Sequence, residues 1–233
     1  MPCHAETIRP RDLDRRWSHR INRRLPLRHT NGRHPPVGWR SFFWSPVKLT
    51  EELRNAVDAR GEVRHLIAPN SLHHVFLDDW RRAYPNARAY AAPRLRGKRN
   101  DIEFAGELGD EGAPAWAANI DQVVMRGCLI TSEVVFFHRK SATVLFTDLI
   151  QQFPPGWFGG WRETVARLDL MMEAEPAVPR KFRNTFVNRR TARATLARIQ
   201  AWPAQKVLMA HGTPVERDGR AFIGRAFAWL TKA

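Results

Sequence analysis

Cysteine, unbroken apolar stretches and acidic side chains are all scarce in this sequence, and each scarcity removes a class of protein. The two cysteines, Cys3 and Cys128, lie far apart with no paired spacing. Neither a disulfide framework nor a thiolate zinc site is expected, and a reducing compartment is the default. No apolar run approaches the roughly 20 residues that span a bilayer. The first residues carry charge throughout instead of the apolar centre of a secretory signal, and Glu6, Asp12 and Asp14 speak against an organelle transit peptide. A cytoplasmic protein with no transmembrane segment is the expectation. Acidic residues number 23 against 38 Lys and Arg, for a formal net charge of +15 and a pI near 11.2. That balance raises nucleic acid or an anionic membrane as a partner, since clustered cations release counterions from phosphate. Arginine is nevertheless scattered through every segment and no nucleic-acid-binding motif accompanies it. A basic nucleic-acid-associated protein therefore stands only as a second alternative.

What is present suits one domain: 233 residues, of which 43% are hydrophobic, can bury a sizeable core. Residues 1–37 differ from the rest. Their arginines alternate with His19, His29, His34 and several prolines, and no helix or strand period survives. They read as a basic, poorly patterned arm, disordered by composition, or as a mis-started or frame-shifted translation. Order begins near Trp39, so the domain is set at 38–233.

Within it, Trp39 to Trp44 reads as a strand. Thr50 is a helix N-cap with Glu51 and Glu52 in the first turn, and Gly61 ends that helix. Val63 to Ile67 is a short strand broken by Pro69, Asn70 and Ser71, and Phe76 to Tyr84 is a helix stopped by Pro85. Arg88 to Ala91 is the next strand, and Pro93 to Gly112 is read as loop. Ile120 to Arg126 is a strand, and Val134–Phe137 and Ala142–Phe146 flank a hairpin turn. Trp161, Val165, Leu168 and Met171 or Met172 share one face of a helix. A helix from Thr191 to Ala201, a strand from Lys206 to Ala210 and a closing amphipathic helix complete the chain.

Three strand ends carry a polar residue: His73 and His74 after the second strand, Asp148 after the hairpin, and His211 before Gly212. In open α/β sheets that rim is where ligands bind. Imidazoles and a carboxylate are ligands for zinc, iron or manganese, and a position open to water would supply a nucleophile near neutral pH. Successive helix residues diverge by roughly 100°, so His73 and His74 meet one ion only if His73 belongs to the loop. The plainer reading is a metal-free hydrogen-bonded cluster, with each group capping or bracing its own loop. His65 and His138 are expected to be structural or exposed.

Four segments together resemble the metallo-β-lactamase superfamily, and most closely a branch known only as a domain of unknown function. They are Ile-Ala-Pro-Asn-Ser-Leu-His-His-Val-Phe-Leu, Tyr-Pro-Asn-Ala-Arg-Ala-Tyr-Ala, Glu-Val-Val-Phe-Phe-His with Leu-Phe-Thr-Asp-Leu, and Met-Ala-His-Gly-Thr-Pro-Val. The resemblance implies an α/β four-layer αββα sandwich with metals at strand ends. The superfamily's His-x-His-x-Asp-His signature, aligned with its last His on His74, puts His73 on the Asp, Ser71 on the second His and Pro69 on the first. A further His falls at Leu129. The first metal site is thereby lost, while His73, His74, Asp148 and His211 match the second. The implied function is a hydrolase with one divalent metal and an unknown small-molecule substrate, Asp148 and His73 being its catalytic candidates and Glu133 an assistant if its loop comes close. The alternative is a non-catalytic, metal-free binding or scaffold module. The arm at 1–37 stands where the superfamily has its first edge strands, so an open sheet edge is expected, available to a second copy.

Overall fold

The computed structural model describes residues 42–231. The readings of the arm at 1–37, of the first edge strands and of Trp39 to Ser41 as strand fall outside them. Among these residues, eight strands form two four-stranded sheets. The first comprises β1 (Phe42–Trp44), β2 (His65–Ala68), β3 (Arg88–Ala91) and β4 (Gly106–Glu107), in that order and all parallel. The second runs β5 (Ile120–Met125), β6 (Glu133–His138), β7 (Thr143–Gln151) and β8 (Lys206–His211), antiparallel except for the parallel β7–β8 pair.

Three cores make the sandwich four layers deep. Between the sheets lie Phe42, Ile67 and Trp116 against Val124, Phe136 and Leu145. Helices α1 (Glu51–Asp58) and α2 (Leu77–Ala83) cover the first sheet through Val57, Leu77 and Trp80. Helices α6 (Arg189–Ala201), α7 (Gly219–Ala226) and α8 (Ala228–Thr231) cover the second with Leu196, Ile199, Phe222 and Leu230. The α/β sandwich is the architecture expected.

Local rules explain most boundaries. The Thr50 hydroxyl accepts the Leu53 amide at 3.2 Å and starts α1, and Gly61 follows that helix at φ +115°. The hairpin forms as expected, with Phe136 opposite Leu145 and His138 opposite Thr143. The stretch read as loop before Gly112 instead holds a short α3 (Leu95–Lys98) and β4. Four residues of helix and two of strand are too short for a periodic signal.

In α4 (Trp161–Leu168) the apolar stripe faces outward, with Trp161 62%, Val165 49% and Leu168 62% exposed, and only Ala166 buried. Met171, beyond the helix, turns inward to pack with Phe153 and Phe158. Periodicity identifies a face; it does not supply a partner for it.

Candidate metal centre

The centre begins at the carboxyl end of β2. Pro69 ends the strand, and Asn70, completely buried, folds the following loop: its side-chain oxygen accepts the amides of Leu72 at 2.9 Å and His73 at 2.8 Å. This Asx turn keeps His73 in the loop, ahead of α2. Ser45, just past β1 and at φ +52°, places its Oγ 2.6 Å from His73 Nδ1. Gripped at one ring nitrogen, the imidazole directs the other, Nε2, towards the second sheet.

There β7 departs from regular pairing. Its parallel register with β8 holds at Phe146–Met209 and resumes only at Gln151–His211, so β7 advances further than its neighbour and bulges. Asp148 lies in the bulge. The amides of Thr147, Asp148 and Leu149 all donate to the carboxylate of Glu133, at 2.7, 2.7 and 3.1 Å. Asn70 Nδ2 then joins the two loops, donating to Asp148 Oδ2 at 2.8 Å and to Glu133 Oε2 at 3.3 Å. Gln151 Nε2 donates to Asp148 Oδ1 at 3.2 Å. His211 ends β8, and the ring of Phe153 lies 5.7 Å from it at an interplanar angle of 22°. Gly212 follows because a Cβ there would stand 2.5 Å from Met209 Sδ.

Three ligand atoms converge as a result. Nε2 of His73 is 3.0 Å from Nε2 of His211 and 3.2 Å from Asp148 Oδ2, and His211 Nε2 is 3.4 Å from Asp148 Oδ1. A tetrahedral ion with bonds of about 2.0–2.1 Å separates neighbouring ligands by about 3.3 Å. Both carboxylate oxygens take part in these contacts, and one ligand atom from each of the three side chains lies within 4.8 Å of the other two, close enough to share one ion. Among the described residues it is the only convergent group of three His, Cys, Asp or Glu side chains.

His74 is not part of it. Its Nδ1 lies 3.1 Å from Nη1 of Arg99, whose guanidinium also binds Asp78 and Asp101. Burial, then the charges of Lys98 and Arg99, push the His74 pKa down to about 4. The resemblance placed both His73 and His74 at the metal site; of the two rings, that of His73 joins Asp148 and His211, and that of His74 turns to Arg99. Moving the alignment by one residue puts Asn70 on the second-His position, where it orients both neighbouring ligand loops.

Electrostatics divide the two carboxyl groups. Burial alone would raise the Asp148 pKa, but the adjacent His73 charge and hydrogen bonds from His211 and His73 hold it well below the carboxylate range. Glu133 is completely buried. Burial, then the Asp148 charge, push it up to about 7 against the three amide donors. Glu133 thus holds the bulge from beneath. Asn70, Ser45 and Gln151 are participants that the sequence reading missed. Their only signal there was position: Ser45 and Asn70 follow the neighbouring strands β1 and β2, and Gln151 ends the strand that carries Asp148. His65 packs beside Tyr90 and Trp116, and His138 is buried in the hairpin turn, both structural as expected.

This sandwich, with a ligand group at its strand ends, defines the chain as having the metallo-β-lactamase fold. A metallo-β-lactamase from Pontibacter korlensis superposes with a TM-score of 0.52 at 10% identity, covering 82% of this chain and 81% of that one. Rubredoxin oxygen:oxidoreductase from Desulfovibrio gigas gives 0.55 at 11% identity over 81% of this chain and 49% of its own. The flavodiiron core of Flv1 from Synechocystis gives 0.50 at 12% identity over 78% of this chain and 47% of that one. No family model and no curated protein sequence matches.

Proposed function

We propose that the protein is a single-metal hydrolase whose ion is held by His73, Asp148 and His211. The separations of the three ligand atoms carry this reading. Two imidazoles and a carboxylate suit zinc and also iron or manganese. A bound divalent ion would supply Lewis acidity and an acidified water. The chain's own residues do the rest. Ser45 Oγ, accepting the His73 Nδ1 proton, leaves the Nε2 lone pair free for the ion. Asn70 and Gln151 fix the rotation of the Asp148 carboxylate, which stays ionised. Phe153 shields one face of His211 from water.

The second reading, a metal-free binding or scaffold module, draws support from access. The side chains of His73, Asp148 and His211 are only 10%, 7% and 5% exposed. A cavity of about 530 Å³ lies elsewhere, beside Asp78, Arg81, Arg88 and Glu103. Elemental analysis of tag-free protein separates the two readings. We expect about one zinc, iron or manganese per chain, or its uptake on titration, and hydrolysis of a chromogenic ester, phosphoester or lactam that chelation abolishes. Protein that holds no metal and takes none up would leave the metal-free module.

A further inference from the structure

We propose that the rim carrying the metal centre docks on an anionic lipid surface, an inference that does not depend on metal binding. The exposed large hydrophobic side chains of the described residues are Leu129, Ile130, Trp161, Val165, Leu168 and Val187. All six lie on two connections, β5 to β6 and β7 to β8, that border the strand ends bearing Glu133, Asp148 and His211.

The structure brings them into two groups joined by one short helix, α5 (Arg180–Thr185). At its far end the amides of Leu129 and Val187 both donate to the Thr185 carbonyl at 3.0 Å, so the two residues are held at the same point of the backbone. At its near end Arg180 N donates to the Asp169 carbonyl at 3.0 Å and Lys181 N to the Asp169 carboxylate at 2.7 Å, directly beyond Leu168. Six residues of helix span about 9 Å. The stripe of α4 and the Leu129–Val187 pair therefore flank the same element.

The charge between them decides the occupant. Arg180 and Lys181 are exposed on α5 and Arg189 and Arg190 are exposed just past Val187, whereas Glu163 is taken by Arg167 at 2.6 Å and Glu175 by Arg225. Apolar anchors including a tryptophan, separated by Arg180, Arg189 and Arg190, with Lys181 paired to Asp169 at 3.6 Å, match the layered chemistry of an anionic bilayer surface: acyl chains below, phosphate and carboxylate groups above. A second copy of this basic chain would bring like charges together over the same face. No helix among the described residues is long and apolar enough to cross a membrane, which leaves a docked rather than a spanning arrangement.

Sedimentation of the full chain with large vesicles of phosphatidylcholine, with and without about 30% phosphatidylserine, tests this. Binding should require the anionic lipid and weaken with salt. The double substitution Trp161→Ser with Leu168→Ser should lower the partition coefficient at least about tenfold, and Leu129→Ser with Val187→Ser should act in the same direction. Arg189→Glu with Arg190→Glu should reduce binding to the anionic vesicles. All six positions are exposed, so circular dichroism should be unchanged. Three outcomes would overturn the proposal: no binding to either vesicle, binding indifferent to the serine substitutions, which would leave the basic N-terminal residues to account for it, or a self-association in solution that those same substitutions dissolve.

Discussion

The second sheet carries a buried histidine at each end, and the two are held in opposite ways. At the hairpin end, His138 Nδ1 meets Ser141 Oγ at 2.7 Å, and Ser141 Oγ meets Thr143 Oγ1 at 2.8 Å. These partners lie within five residues of it, on the same turn. At the other end His73, Asp148 and His211 meet across sequence separations of 78 for the Asn70–Asp148 bond and 138 for the two imidazoles. The hairpin cluster is a chain of hydroxyls that satisfies one ring locally and offers no carboxylate. The rim cluster aims three ligand atoms at a common point and requires buried supports from two sheets to do so. Burial of a histidine alone does not distinguish a site from a turn; the reach of its partners does.

The contrast breaks most completely at Glu133. Replacing it with Leu removes the acceptor of three buried amides and of Asn70. An orphaned buried donor costs about 1–3 kcal/mol, so Glu133→Leu should lower unfolding stability by about 3 kcal/mol or more, read as a shifted denaturant midpoint. Ser141→Ala at the other end should cost about 1 kcal/mol or less. Equal losses would mean that the two clusters are equivalent structural braces.

A finer cut separates adjacent residues. His73→Ala should weaken cobalt(II) or zinc(II) uptake by about a hundredfold or more, because it deletes a proposed ligand. His74→Ala should leave that affinity within a few-fold, since His74 faces Arg99. Titration of both variants in parallel decides the register. A large loss from His74→Ala with little from His73→Ala would restore the signature alignment and refute the arrangement described above.

Those two outcomes also mark where the sequence could be read. The Thr50 cap, the hairpin and the strands before Asn70 and Gly212 depend on neighbours a few residues away, so local chemistry is enough to place them. The strand-end positions of His73, Asp148 and His211 were legible for the same reason. Which of His73 and His74 turns inward was not, because Ser45 and the Asn70 turn choose between them, and Ser45 is 28 residues away. Glu133 was read as a loop residue that could assist if it came close, and only the bulge of β7 makes it a support. The stripe of α4 was legible as a shared face and its outward direction was not: an amphipathic pattern reports that a face exists without reporting what covers it.

The smallest effect is the pH response of the hairpin. Burial, then the Lys140 charge, lower the His138 pKa from 6.5 to about 4. A histidine with a depressed pKa favours the neutral ring in the folded state. Its contribution to stability is complete above pH 6.5 and declines as the pH falls towards and through about 4, where the unfolded chain binds a proton that the folded one resists. His138→Gln should flatten this part of the stability profile while leaving metal uptake at the rim unchanged. The ring itself should show no protonation shift by NMR between pH 7 and about 5.5. A midpoint for His138 near 6.5 would show that its turn is open to water, and the hairpin could then no longer serve as the closed, metal-indifferent counterpart of the rim.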